Sequence, residues 1–297
     1  MIQFQEITLE QKPLFDSFFR QRRYENAHFN FTNLFMWRHA YNIRWTVIDQ
    51  HLCIKACFGT YNFALQPFGG DDGVEDVLAQ MEGYFAANGW PFILGDVEKF
   101  MLDILENWRP GYFTFTADRD NFDYVYNRQD LAELKGRKYH GKKNHINSFI
   151  RMYPDYQYYP LTDEWVGHCI INIFEWCAQK GCDEDPMLLN EKQAIIEVLQ
   201  NYQALNLTGA LITVNNKVEA FTFGEQLNDD TAVIHVEKAS PDIRGIYPLI
   251  NQKFCRHAWQ SVSYINREED MGVPGLRKAK ESYYPAKMTE KYTVKIK

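Results

Sequence analysis

The chain has 297 residues, 45% of them hydrophobic and 24% charged, with 32 Lys and Arg against 39 Asp and Glu and a net charge of −7. Its 7 Trp, 18 Tyr and 21 Phe, beside only 17 Gly and 11 Pro, exclude collagen-like, low-complexity and disordered classes, because the apolar surface is ample to offset chain entropy. At roughly 150 residues per domain the length suggests two domains, although one large α/β domain also fits.

In chain order, helical patterns at 8–22 and 30–41 precede strands at 43–49, 51–57 and 60–66. A helix at 74–88, a strand at 90–94, a helix at 97–108 and strands at 111–116 and 122–127 complete the first half. Residues 129–151 form a basic, helical connector. A strand at 155–159 follows, then a helix from Thr162 or Asp163 to about 179. Asp185-Pro186 opens a second helix reaching about 204, proline being tolerated at a first helical position. Three β-rich runs occupy 208–214, 217–226 and 230–239, with Asn215-Asn216 as a tight hairpin turn. A loop at 240–245, a helix at 246–260, a strand at 261–266, a short basic helix within 273–284 and a last strand at 291–296 finish the chain. The order of elements in the first half recurs in the second, a sign of duplication. The expected division is an N-terminal domain at 1–128, the connector at 129–152 and a C-terminal domain at 153–297 that carries the site.

No apolar run reaches the ~18 residues that span a bilayer, and the N-terminus lacks a basic start followed by an apolar stretch. The expectation is a cytoplasmic protein without an integral membrane segment. Six cysteines, at 53, 57, 169, 177, 182 and 255, have no paired CxxC spacing and read as reduced, mostly core thiols. His140 and His145 are five apart and lack a third ligand, and Asp183, Glu184 and Asp185 lack the spacing of a calcium loop, so no metal site is expected.

Three segments are familiar: NLFMWRHAYNIRW at 33–45, LKGRKYHGKKNHINSF at 134–149 and NREEDMGVPGLRKAKESYYP at 266–285. They resemble uncharacterised bacterial proteins related to the C-terminal domain of phosphatidylglycerol lysyltransferase. The resemblance implies an α/β fold, a tandem duplication of the Gcn5-related N-acetyltransferase type with mixed, mostly antiparallel sheets flanked by helices. It is akin to the Fem aminoacyltransferases, whose donor is aminoacyl-tRNA.

Within that frame four constellations can carry chemistry. The loop before residue 246 opens a helix, so Arg244, Gly245 and the following amides could hold a donor phosphate at the helix's positive end. Acetyl-CoA users read Arg/Gln-x-x-Gly-x-Gly/Ala in this loop, and Tyr247-Pro248 stands here where small residues are expected; the plainer reading is an ordinary loop. Alternation along 233–237 puts Val233, His235 and Glu237 on one face, with Glu237 near the strand end where the superfamily places a base; an ion pair with Lys238 or Arg244 is the plainer reading.

In the 266–285 segment, Asn266 is a candidate substrate-binding residue, the acids Glu268, Glu269 and Asp270 could bind an amine, and Arg277, Lys278 and Lys280 a phosphate or carboxylate. Tyr283 and Tyr284 are phenols suited to protonating a leaving group, Tyr284 being the assigned acid. A surface loop held by internal salt bridges is the alternative. In the connector, Arg137, Lys138, Lys142 and Lys143 interleave with aromatic residues and could meet phosphates of tRNA, a nucleotide or a lipid head group. The aromatic stripe Phe29, Phe31, Phe35, Met36, Trp37 reads as core or cleft lining.

The resulting expectation is an acyltransferase, moving an aminoacyl group from an activated donor to an amine or hydroxyl acceptor that could be a lipid head group. Aminoacyl-tRNA or acyl-CoA would be the co-substrate, with no tightly bound cofactor, and peripheral membrane contact is allowed. Glu237 would be base, Tyr284 acid and the amides near Arg244 the oxyanion donors. The alternatives are a non-catalytic module binding an anionic ligand or tRNA, and an acyl-CoA-dependent N-acetyltransferase.

Overall fold

The computed structural model describes residues 2–297 apart from the side chain of Asp183, so the acidic run at 183–185 lies partly outside the described residues. The chain forms two compact units. One comprises Met1–Asp123, Glu269–Arg277 and Met288–Lys297; the other comprises Tyr124–Glu268 and Lys278–Lys287. The sequence-based division at 128 and 153 therefore moves. The last strand, expected in the C-terminal domain, belongs to the first unit, and residues 124–127 belong to the second.

In the first unit the strands are β1 (Gln5–Glu6), β2 (Arg44–Ile48), β3 (His51–Phe58), β4 (Tyr61–Leu65), β5 (Ile93–Val97) and β6 (Phe113–Ala117). Its helices are α1 (Lys12–Phe19), α2 (Phe31–Trp37), α3 (Val74–Ala87) and α4 (Lys99–Trp108). Helix α3 buries Val74, Val77, Leu78, Met81 and Phe85, the i, i+3, i+4, i+7 stripe of an amphipathic helix. Each such side chain contributes roughly 1.5–3 kcal/mol when removed from water. Met101 and Leu105 of α4 join the same core, with Leu94 and Val294.

The second unit begins with β7 (Asp123–Asn127), α5 (Arg128–Glu133), α6 (His140–Met152) and β8 (Gln157–Pro160). It continues with α7 (Asp163–Lys180), α8 (Pro186–Gln200), α9 (Tyr202–Leu205), β9 (Thr208–Val214), β10 (Lys217–Asn228) and β11 (Thr231–Ala239). Then come α10 (Ile246–His257) and β12 (Tyr264–Asn266); the boundaries between the units fall within α11 (Pro274–Glu281) and β13 (Lys287–Thr289), and the last strand, β14 (Tyr292–Ile296), belongs to the first unit. Asp185 caps α8, accepting from Met187 N at 2.9 Å with Pro186 behind it. Asn215 and Asn216 both take positive φ, 52° and 63°, as a two-residue hairpin requires. The single helix expected to reach 204 is broken at Asn201 into α8 and α9.

The two sheets run β1-β2-β3-β4-β5-β14-β6 and β13-β7-β12-β11-β10-β9-β8. Pairing is antiparallel at most positions, with parallel pairs at β4/β5 and β11/β12. The place next to one end of each order is taken by the closing strand of the other half of the sequence: β14 pairs with β5 and β6, and β7 pairs with β12.

The cysteine expectation needs one correction. Cys177 and Cys182 form a disulfide with Cα atoms 5.0 Å apart. Gly181 ends α7 in the left-handed conformation and turns the chain back, which brings Cys182 over Cys177. Cys53, Cys169 and Cys255 are buried thiols, each pushed up to about 12 by burial.

A β-bulge interrupts the β10/β11 ladder: Phe223 pairs with Val236 and Gly224 with Ile234, leaving His235 as the extra residue. The simple alternation expected along 233–237 therefore does not carry through. A Cβ on Gly224 would collide with the backbone oxygen of Val233, which cannot step aside. Gly224→Ala is expected to cost about 2 kcal/mol or more, read as a lower urea midpoint at unchanged slope.

Candidate functional site

The first unit holds a cavity of about 300 Å³. Period-two alternation places Ile54 and Ala56 of β3 and Tyr61, Phe63 and Leu65 of β4 on its wall. Helix α2 adds Asn33 and Trp37, one turn apart, and Tyr41 follows it. Of the aromatic stripe read from sequence, Phe29, Phe31, Phe35 and Met36 are core, and Trp37 faces the cavity.

Charge enters this apolar space from three carboxylates, Asp96, Asp118 and Glu269, and one imidazole, His28. Asp96 sits inside β5 with φ 55°, a left-handed conformation that costs energy in a strand and clusters at functional positions. His28 Nδ1 lies 2.9 Å from Asp96 Oδ2, and its Nε2 lies 3.2 Å from Glu269 Oε2. Behind them Lys291 is wholly buried, 2.7 Å from Asp123 Oδ1 and 3.5 Å from Glu269 Oε2.

Burial and the Lys291 ammonium oppose protonation of His28, yet Glu269 and Asp96 prevail and raise it to about 10. The doubly protonated ring then donates to both carboxylates, while Lys291 Nζ, 3.3 Å from Nε2, shares Glu269 with it. Burial opposes ionisation of Asp96, but His28 holds it below its ordinary value. Burial lifts Glu98 to about 7 against the amides of Glu25 and Asn26, each donating at 2.8 Å.

In the second unit the parallel pair β11/β12 is joined only from Thr231↔Tyr264 to Val233↔Asn266, and β11 runs on to Ala239. Side chains bridge the gap beyond. Arg267 Nη2 donates to Glu237 Oε1 at 3.0 Å, and Asn251 Nδ2 donates to its Oε2 at 2.9 Å. His235 lies 3.0 Å from both Glu268 Oε1 and Glu225 Oε1. Burial opposes its charge, but the two carboxylates raise it to about 9. Glu237 thus has both oxygens engaged, and its partner is Arg267 rather than Lys238 or Arg244; Lys238 pairs with Glu191 at 2.8 Å.

The remaining sequence candidates separate in the same way. A Cβ at Gly245 would collide with His145 O, and Arg244 Nε contacts His145 Nδ1 at 3.1 Å. The glycine therefore admits the close approach of the α6 backbone at His145. Asn266 Oδ1 accepts from Glu268 N at 2.8 Å and shapes the turn. Asp270 is buried and holds Arg277, whose Nε and Nη2 donate at 2.8 and 2.7 Å. Lys280 Nζ donates to Arg267 O at 2.6 Å, and Lys278 is exposed. Arg277 and Lys280 thus make contacts within the chain. Tyr283 is buried, and burial raises its phenol; Tyr284 is about half exposed and edge-on to Tyr139. Arg137 and Lys138 are exposed on the connector, Lys138 near Asp130 at 3.4 Å; Lys143 is half-buried, and Lys142 turns over the Tyr283 ring.

Of the expected residues only Glu269 lines the cavity. His28, Asp96, Asp118 and Lys291 were missed; the readable signal was Gly95-Asp96, a pair unsuited to the middle of the apolar run 92–97. Among the described residues no group of three or more His, Cys, Asp or Glu is arranged to hold a metal ion. No helix among them is long and apolar enough to cross a membrane.

The charge network gives a signed pH dependence. His28 is raised from 6.5 to about 10, so its pairing stabilises fully below pH 6.5 and is lost as pH rises through 10. Glu98 is raised from 4.5 to about 7, so its contribution is complete below 4.5 and lost as pH rises through 7. Denaturant unfolding at a series of pH values is expected to show stability falling in both windows. His28→Gln should cost about 3 kcal/mol near neutral pH and flatten the upper window.

The chain matches the family described as phosphatidylglycerol lysyltransferase, C-terminal, over residues 19–295. The crystal structure of a conserved protein of unknown function from Bacteroides thetaiotaomicron is 40% identical, with 100% of each chain covered and a TM-score of 0.93. L-PGS from Bacillus licheniformis shares the fold at 14% identity, covering 96% of this chain and 91% of that one, TM-score 0.67. A tandem GNAT protein from the clavulanic acid biosynthesis pathway does so at 7% identity over 98% and 97%, TM-score 0.51. An uncharacterised protein of Mycoplasmoides gallisepticum is 24% identical over 177 residues, 59% of this chain, and the match spans only 56% of that relative's length. Two mostly antiparallel sheets with flanking helices are thus a tandem fold of the Gcn5-related type, and family and fold together support an acyltransferase-type function. The chain belongs to the phosphatidylglycerol lysyltransferase C-terminal family.

Proposed function

We propose that the chain transfers an aminoacyl group from an activated ester of the aminoacyl-tRNA kind to a hydroxyl or amine acceptor. The lysyl donor and phosphatidylglycerol acceptor named by its family are the first pair to test. The observation that carries this reading is the charge of the first unit's cavity: three carboxylates against one imidazolium, within aromatic walls. Such a space favours an ammonium ion, held by Asp96, Asp118 and Glu269 and faced by Trp37, Tyr41 and Tyr61. A lysyl group carries two ammonium centres on a short apolar stem. The acceptor oxygen would attack the ester carbonyl, the ribose hydroxyl would leave, and the acceptor's proton would pass to that leaving oxygen.

Glu237 and Tyr284 remain the base and acid of this proposal only if Arg267 releases Glu237 on donor binding. Glu237→Gln tests that directly: turnover should fall while donor affinity holds, and an unchanged rate excludes the role. The exposed Arg137 and Lys138 on the connector favour a second reading, salt-dependent tRNA binding without transfer. A cytoplasmic location with peripheral contact at a lipid surface accompanies the first reading.

Incubation with lysyl-tRNA and phosphatidylglycerol vesicles should move radiolabelled lysine into the lipid, whereas label retained on tRNA would favour the second reading. Lysinamide is expected to bind the free protein, and Glu269→Gln should weaken it roughly tenfold in calorimetry, the loss of one charge-assisted contact. Undiminished binding by that variant would remove the cavity from the proposal.

A further inference from the structure

Four strands stand at the edges of the two sheets, β1 and β6 in one and β13 and β8 in the other. An edge strand offers its outward N–H and C=O groups to any strand that comes beside it, and proteins blunt such edges by shortness, charge, proline or a bulge. β1 has two residues, one of them Glu6; β13 has three and begins with Lys287; β8 ends at Pro160. β6 carries none of these devices. Its five residues, Phe-Thr-Phe-Thr-Ala, are uncharged, and its ladder with β14 runs from Phe113↔Ile296 to Ala117↔Tyr292 without a register shift.

That ladder fixes which groups face outward. Asp118 N donates to Lys291 O at 2.9 Å and Lys297 N to Tyr112 O at 3.1 Å, so the bonded pairs fall at 112, 114, 116 and 118. The N–H and C=O groups of Phe113, Phe115 and Ala117 therefore point away from β14, and no strand among the described residues pairs with them. The side chains of Thr114, Thr116 and Ala117 are exposed.

We propose that β6 is a self-association edge, taking β6 of a second copy of this chain in antiparallel pairing about a two-fold axis at Phe115. In that register Phe113 meets the partner's Ala117, Phe115 meets the partner's Phe115, and Ala117 meets the partner's Phe113. Every outward residue thus faces an outward residue, and each pair exchanges two N–H···O bonds. Thr114 lies across from the partner's Thr116, a favourable cross-strand pair. Antiparallel pairing also keeps the Asp118 and Asp120 ends of the two strands apart, whereas parallel pairing would set those acids side by side. The absence of charge on β6 favours a copy of itself over a charged peptide.

Sedimentation velocity on the full chain, from roughly 1 to roughly 200 µM, should show a monomer passing to a dimer, as suits a small contact of micromolar affinity. Hydrogen exchange read by mass spectrometry over the same range should slow roughly tenfold in the peptide holding 113–117 as the dimer forms. Ala117→Pro removes an outward N–H and no bond to β14, at a position where edge strands tolerate proline, and should abolish the dimer. Thr114→Lys combined with Thr116→Lys sets lysine against lysine across the axis; it should do the same, and it decides the matter if the proline variant fails to fold. A chain that stays monomeric throughout overturns the proposal and leaves the edge to a strand of another protein. A dimer that survives the substitutions, or whose 113–117 amides exchange as fast as the monomer's, overturns it equally.

Discussion

An ammonium group removed from water must be paired or discharged, and Lys291 meets that demand in a way that organises the first unit. Its side chain and that of Asp123 are both wholly inaccessible, 2.7 Å apart. Asp123 is the last residue of the first segment of that unit, Glu269 the first residue of the second, and Lys291 belongs to the third. Three stretches of chain far apart in sequence therefore meet at one ion cluster. Lys291 immediately precedes the closing strand by one residue, so pairing of the ammonium and insertion of β14 between β5 and β6 place each other. Opposing carboxylates hold the lysine charged despite burial, as they do His28 beside it.

The two units treat the same topological feature differently. Each sheet has one parallel pair at its middle, β4/β5 and β11/β12, hydrogen-bonded over only two or three residues. In the first unit the space beside that pair stays open, with Gly95 and Asp96 at its edge and three acids around it. In the second it is crossed by Arg267–Glu237 and by His235 with Glu268. The residues at the edge of the parallel pair differ: Asp96, inside β5, pairs with His28, whereas Arg267, just after β12, pairs with Glu237. Like backbones thus yield an acidic cavity in one case and a closed charge bridge in the other.

The elements themselves were readable where local chemistry is strong. Asp185-Pro186 marks a helix start because proline needs no donor there, and Asn215-Asn216 marks a hairpin because both residues tolerate positive φ. β1 and β13, of two and three residues, are too short to show a period. The exchange of β7 and β14 was invisible, since strand pairing over more than a hundred residues leaves no local mark. The same limit governed the site. The dense run 268–270 was conspicuous, but His28, Asp96 and Lys291 belong to no motif and are brought together from separations of up to 263 residues. The disulfide was missed because a five-residue spacing matches no motif; it depends on the left-handed turn at Gly181.

The distribution of charge bears on which partner each unit can hold. A carboxylate already bonded to a guanidinium and an amide, as Glu237 is, offers little to an incoming cation, because binding would first have to break contacts worth a few kcal/mol. Asp96 and Glu269 are bonded to His28 as well, and Glu269 also meets Lys291, while Asp118 adds a further negative charge to the same space. The imidazolium therefore fixes the geometry of the acids without cancelling their field. A cation entering that cavity meets the field of carboxylates already paired with His28 and Lys291, with Asp118 adding to it.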